Sequence, residues 1–162
     1  MASDSVERER TWLVRSLPDP LPAGTHVSQG YLLADGDVAV RVRRAGDRRL
    51  MTVKGRGTRS RTELEWDLTA EQFEALWPLT RCGRVDKVRH EVPLGPCTAE
   101  IDVFAGSLAG LVLVEVEFDD DASMDAFTAP DWFGEEVSDD PRYANAALAR
   151  DGLPEGHRSP TD

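Results

Sequence analysis

Cysteine is scarce in this 162-residue sequence. Cys82 and Cys97 stand alone, with no spacing that would wrap a metal ion or build a disulfide framework. Two free thiols in a cytoplasmic protein are the expectation. Long apolar runs are missing as well: none approaches the ~20 residues that span a bilayer. The polar, acidic N-terminus does not read as a signal peptide, so no membrane partner is expected. Positive charge is in deficit, with 19 Lys and Arg against 30 Asp and Glu and a net charge of −11. Nucleic-acid binding needs a basic surface that releases counterions, so no nucleic-acid partner is expected. A small anionic ligand stays open, because a local basic cluster in an acidic protein still focuses positive potential. His26, His90 and His157 are too scattered for a metal or catalytic cluster.

What is present is alternation. In residues 6–14, period two puts Glu7, Glu9 and Thr11 on one strand face, and Val6, Arg8, Arg10, Trp12 and Val14 on the other. Two carboxylates two residues apart on one face repel each other, which calls for water, a facing basic strand or a divalent cation. Residues 26–33 read as a strand ending at an Asp-Gly turn. Residues 38–44 then place Val38, Val40 and Val42 opposite Arg41 and Arg43. Residues 49–55 put Lys54 with Leu50 and Thr52, and residues 61–68 put Arg61, Glu63, Glu65 and Asp67 opposite Leu64 and Trp66. A helix follows, with Thr69 and Gln72 as a capping box and Phe73, Leu76 and Trp77 on one side. Further strands near residues 84–92, 98–104 and 111–119 carry Lys87 and Arg89, then Glu100 and Asp102, then Glu115 and Glu117, each on the face opposite the apolar residues. Residues 120–127 read as a short helix and residues 130–137 as irregular, with Trp132 and Phe133 as anchors. Asp140 with Pro141 is expected to start a last helix carrying Tyr143, Ala147 and Leu148. The reading is one domain over residues 1–152, with residues 153–162 as a disordered tail.

Eight strands with one helix between the fifth and sixth predict a mainly β, antiparallel sheet or closed barrel. An ordinary barrel would keep apolar side chains inside and charges in water. Two observations oppose that arrangement. The amphipathic helices need an apolar surface to cover, and the strand charges segregate, basic on some strands and acidic on others, where a merely soluble surface mixes them. The opposite arrangement is a barrel with a charged, water-filled interior and helices packed outside. Guanidinium and ammonium groups from several strands suit a chain of phosphates. Carboxylates in the same cavity suit Mg²⁺ or Mn²⁺, which prefer oxygen ligands and bridge to phosphate oxygens.

Glu7-Arg8-Glu9-Arg10, followed by an aromatic and Leu-Val, resembles the ExExK signature of CYTH-domain proteins, the triphosphate tunnel metalloenzymes. Gln29-Gly30-Tyr31-Leu32, Val40 through Arg43, Thr52 through Gly55, Arg61 through Asp67, Lys87 through Arg89, Glu100 through Phe104 and Val114 through Glu117 fall in the family's order. So do Pro130-Asp131-Trp132 and Asp140-Pro141-Arg142-Tyr143. The resemblance covers roughly residues 5–150 and is greatest to the short bacterial members.

It implies an eight-stranded antiparallel barrel around a charged tunnel, and a metal-dependent phosphohydrolase acting on inorganic or organic triphosphates. It implies that Arg41, Arg43, Lys54, Lys87 and Arg89 bind the phosphates. Glu7, Glu9, Asp102, Glu115 and Glu117 would hold Mg²⁺ or Mn²⁺. Tyr31, Glu7 and Glu9 would be catalytic, while Thr11, Arg61, Glu63, Glu65 and Glu100 would line the tunnel. The expected partner is a small polyanion, and the expected state a monomer or homodimer. One departure stands out: the signature's Lys falls at Thr11, which faces inward, while the neighbouring Arg10 faces outward. Two alternatives to efficient hydrolysis stand beside it, the first raised by that departure and the second by the family's range. One is a polyphosphate- or nucleotide-binding module with weak catalysis. The other is an adenylate cyclase of the class IV type, although the sequence carries no adenine-recognising feature.

Overall fold

The computed structural model describes residues 3–57 and 59–157. Eight antiparallel strands close a ring: β1 (Ser3–Val14), β5 (Ser60–Asp67), β4 (Arg48–Lys54), β3 (Ala39–Ala45), β2 (Gly24–Ala34), β6 (Arg84–Leu94), β7 (Cys97–Phe104), β8 (Val112–Glu117) and back to β1. The length of β1 makes closure work. Its first part pairs with β5, up to Arg8 opposite Ser60, and its second part pairs with β8, from Glu9 opposite Glu117 to Leu13 opposite Leu113. Where β5 leaves the edge of β1, a ninth strand, β9 (Phe133–Glu136), takes over. Within the segment expected to be irregular, residues 130–137, Phe133–Glu136 are therefore a strand. The β1 edge still has backbone groups to satisfy there, and Val137 N–H donates to Thr11 O at 2.8 Å while Thr11 N–H donates to Ser138 Oγ at 2.9 Å.

The main apolar core lies outside the ring. Trp12, Val14, Ile101, Val112, Val114 and Val116 point outward from β1, β7 and β8. They are covered by Met124 of α2 (Asp121–Ala126) and by Phe133, whose ring packs 5.0 Å from that of Trp12. Each such side chain, fully buried, contributes about 1.5–3 kcal/mol, so the fold does not depend on an apolar interior. On another side, α1 (Ala70–Leu76) carries the expected Thr69–Gln72 capping box and stacks Phe73 on Trp77 at 5.3 Å. Thr80 then packs directly over β2 at Gly30, where a Cβ would lie 2.6 Å from Thr80 Cβ, so only glycine fits.

One end of the barrel is closed. Leu13, Val85, Phe104 and Leu113 turn inward there and meet Leu148 of α3 (Asn145–Asp151), with Leu108, Leu111 and Val137 beside them. Asp140 caps only the 3-10 turn Pro141–Tyr143, and α3 begins two residues later, after Ala144. The expected tail is also partly structured. Pro154 is buried, and His157 lies against Tyr143, its Nδ1 3.4 Å from the phenol oxygen. The rest of that tail, residues 158–162, lies outside the described residues. No described helix is long and apolar enough to cross a membrane.

Candidate active site

Period-two alternation on eight strands delivers the inward charges to one cavity of about 700 Å³, within the range of small-ligand sites. Its wall includes Glu7, Glu9 and Thr11 from β1, Tyr31 from β2, Arg41 and Arg43 from β3 and Lys54 from β4. Arg61, Glu63 and Glu65 come from β5, Arg89 from β6, Glu100 from β7, and Glu115 and Glu117 from β8. Fourteen of the sixteen residues singled out in the sequence are thus brought together.

Lys87 and Asp102 are the exceptions. Both are fully buried and paired with each other, with Arg89 on the same carboxylate at 2.7 Å. They sit behind the wall, next to the apolar end. The phosphate-binding role expected of Lys87 and the metal-binding role expected of Asp102 therefore require a ligand that reaches behind the wall, where the two form a buried ion pair. Burial pushes the Lys87 ammonium down to about 8 even against the pull of Asp102. Burial also opposes the charge on Asp102, yet Lys87 and Arg89 outweigh it and hold that carboxyl well below its usual range.

The cavity's cations are paired unevenly. On one side, Lys54 Nζ contacts the Glu7 carboxylate at 2.6 and 2.8 Å and Glu63 at 2.9 Å, while Arg61 bridges Glu7, at 2.8 Å, and Glu9. Burial raises the Glu7 pKa, but Lys54 and Arg61 outweigh it and bring it down to about 2. Glu9 goes the other way: burial and the facing Glu115 push it up to about 7. Glu117 is exposed as a residue but turns its carboxylate toward the same point, and burial of that group with Glu100, Glu7 and Glu9 nearby lifts it to about 7. Oxygens of Glu7, Glu9 and Glu117 all lie within 4.8 Å of one another. Three convergent carboxylate oxygens whose mutual repulsion is only partly relieved fit a hard divalent cation.

On β3, the strand next to Lys54, Arg41 and Arg43 form no ion pair with a carboxylate among the described residues. Arg41 lies against the Tyr31 phenol, with its Nε buried and unpartnered. Arg43 Nε donates to Gln29 Oε1 at 3.2 Å, and burial, with Arg41 and Arg89 nearby, lowers its pKa to about 10, so it remains a cation near neutrality. Two guanidinium groups without a carboxylate partner among the described residues, one buried and one half-buried, suit a multiply charged anion. Arg89, by contrast, is committed to Asp102, Glu100 and Glu115. Arg10 points outward as expected, held by Glu136 at 2.7 and 3.0 Å and lying over the Trp12 ring at 4.8 Å.

Two further residues complete the site. Gln29 is fully buried beneath Tyr31 and Arg43, and its inward parity with Tyr31 was the available signal. Asn145 reaches the floor from α3, and no local sequence pattern indicates that.

The profile of the CYTH domain matches residues 25–144. The chain is 45% identical over 147 residues to an inorganic triphosphatase of Nitrosomonas europaea, covering 89% of this chain and 97% of that protein. It is 39% identical over 132 residues to an inorganic triphosphatase of Acetivibrio thermocellus, covering 80% and 83% respectively. It is also similar to a crystal structure of an inorganic triphosphatase, with a TM-score of 0.68 at 41% identity over 91% of this chain and 99% of that one. The chain belongs to the CYTH-domain family.

The carboxylate cluster sets a pH dependence. Glu9 and Glu117 have folded-state pKa values of about 7 against an ordinary 4.5. The stability they contribute is therefore present below the lower value and lost as pH rises through about 7. Metal-free protein should show a falling thermal midpoint from about pH 5 to about pH 8. Millimolar Mg²⁺ or Mn²⁺ should raise the midpoint, and by more at the higher pH, because a cation binds the ionised carboxylates of the native state. Thermal scans at the two pH values, with and without metal, check this. An equal metal effect at both would count against the cluster as the site.

Proposed function

We propose that this protein is a divalent-metal-dependent phosphohydrolase that cleaves inorganic triphosphate, or an organic triphosphate, inside the tunnel. The observation that carries this reading is the juxtaposition in one cavity of two guanidinium groups without a carboxylate partner among the described residues, buried Arg41 and half-buried Arg43, with carboxylate oxygens of Glu7, Glu9 and Glu117 within 4.8 Å of one another. The triphosphatase relatives favour inorganic triphosphate as the substrate. Arg41 and Arg43 bind non-bridging phosphate oxygens and orient the chain. Tyr31 presents its hydroxyl beside Arg41, and Glu7, Glu9 and Glu117 are the ligands proposed for Mg²⁺ or Mn²⁺. Bound there, that ion supplies Lewis-acid polarisation of a phosphoryl oxygen and neutralises developing charge. The arginines stabilise the charge that spreads over the phosphoryl oxygens as the bond breaks. The apolar plug at the closed end keeps water and substrate to one entrance.

Phosphate release from tripolyphosphate, ATP and thiamine triphosphate, with each metal and with chelator, tests the proposal. Metal-dependent release, greatest with tripolyphosphate, is expected; no release above the chelated control would sink it. Cyclic AMP measured in the ATP reactions tests cyclase activity, and none is expected.

Thr11 favours a second reading, a binding module with weak catalysis. Thr11 lies on the cavity wall directly across the strand pair from Glu115 and two residues from Glu9. A lysine there would project an ammonium between those carboxylates toward the terminal phosphate. Thr offers only a neutral hydrogen bond, about half as strong as a charge-assisted one. Thr11→Lys is therefore expected to raise tripolyphosphate turnover at least about tenfold and to change binding much less, as steady-state kinetics and calorimetry would read. Unchanged or lower turnover in a folded variant would mean that Thr11 suits another substrate. Tight binding with no turnover in the unaltered protein would establish the binding module.

A further inference from the structure

We infer that Gln29 and Asn145 are positioning residues, a two-amide strap at the closed end of the tunnel that holds Arg43 and Tyr31 in register with Glu115. The inference rests on the reading of the tunnel as a polyphosphate site.

The polarity of the strap is determined at every link. A guanidinium only donates, so the Gln29 atom 3.2 Å from Arg43 Nε must be its oxygen. The Gln29 amide nitrogen then faces the Tyr31 oxygen at 3.3 Å and Asn145 Oδ1 at 3.1 Å. Lys87, also donor-only, reaches the same Asn145 oxygen at 3.0 Å. The Asn145 nitrogen is left to face Glu115 Oε1, an acceptor, at 3.5 Å, while the other Glu115 oxygen takes Arg89 at 2.9 Å. Flipping Gln29 would set its NH₂ group against the Arg43 donor, and flipping Asn145 would set its NH₂ group against the donors of Lys87 and Gln29. Only one arrangement satisfies all of them.

The arrangement has chemical consequences for the wall. Gln29 occupies Nε of Arg43, and among the described residues no hydrogen bond holds the terminal amino groups of that guanidinium, which can face a ligand. Gln29 also donates to the Tyr31 oxygen, and the neighbouring Arg41 is donor-only. The phenol hydrogen therefore has no acceptor in either neighbour, and Tyr31 meets the ligand as a hydrogen-bond donor. Gln29 is fully buried and absent from the cavity wall, so it acts through Arg43 and Tyr31 rather than by contact with the ligand. Asn145 extends the same chain across the floor from the cationic wall to the acidic one.

A double-mutant cycle tests this, read as the tripolyphosphate dissociation constant by calorimetry in folded variants without metal. Gln29→Met keeps length and apolar volume but removes both hydrogen-bonding functions. It is expected to weaken binding about fivefold or more, and to change it by less than about twofold once Arg43 is already Ala. A residue that merely supports the fold would weaken both backgrounds equally, and that multiplicative result overturns the inference. Asn145→Ala, at a helix start that tolerates alanine, repeats the cycle if Gln29→Met fails to fold. It should weaken binding by about threefold, with the effect largely lost in the Arg43→Ala background. If the unaltered protein binds no tripolyphosphate, the reading of the tunnel fails and the strap's role fails with it. If it binds but the effects multiply, only the strap's role fails.

Discussion

A Glu7→Ala, Glu9→Ala double variant is expected to lose metal-dependent tripolyphosphate turnover by about 10²–10³-fold, and at the same time to bind metal-free tripolyphosphate at least as tightly as the unaltered protein. The two directions come from the same contacts. Glu7 and Glu9 supply two of the three convergent carboxylates, so their loss removes the ligand set that a divalent cation requires. They are also the partners of Arg61 and, through Glu7, of Lys54. Without them Arg61 is released and Lys54 keeps only Glu63, and both cations face a cavity that has lost two negative charges. On the proposed reading, binding follows the balance of charge on the wall, whereas turnover follows the cation that the carboxylates would hold. Single-turnover phosphate release and calorimetry on the same preparation separate the two. Turnover within a few-fold of the unaltered protein would remove Glu7 and Glu9 from the mechanism.

Arg43→Ala is expected to do the reverse and to weaken tripolyphosphate binding itself, by about 10–100-fold, the scale of one or two hydrogen bonds to a charged group. Arg43 has no carboxylate to leave behind, so truncating it creates no unpaired buried charge and the loss reports the ligand contact. Its half-buried place on the cavity wall should keep most of the effect at high ionic strength, because screening acts weakly on a partly desolvated pair. Arg43→Lys should recover only part of the loss, since an ammonium cannot offer the planar fork that meets two phosphate oxygens. Titrations at low and high salt check both points. An effect that vanishes in high salt would place Arg43 at a wet rim rather than in the site.

Much of this arrangement is legible in residue order. Glu7 and Glu9, Arg41 and Arg43, and Glu115 and Glu117 stand two apart, opposite apolar neighbours, so each pair must share a face once its strand forms. Which face turns inward was decided by the helices. Phe73 and Trp77 needed an apolar surface outside, and both of the chain's lysines, Lys54 and Lys87, lie on the inward faces. The ninth strand was not legible, because Phe133–Glu136 is defined by an edge of β1 that β5 vacates, a property of the closed ring and not of the segment.

By itself, then, the sequence determined the strand faces, the segregation of charge and the departure at Thr11, because period-two alternation is a local property of the chain. Only the tertiary structure decided how those charges divide their work. Lys87 and Arg89 are both basic and both inward, two residues apart, yet one is sealed against Asp102 and the other stands on the wall. Arg41, Arg43 and Arg61 are alike in sequence, yet the first two are free for an anion and the third is neutralised by Glu7 and Glu9. Pairing depends on which side chains meet across the ring and how much water reaches them. Depth along the barrel, the seal formed by α3 and the reach of Asn145 set both, and none of these exists before the ring closes.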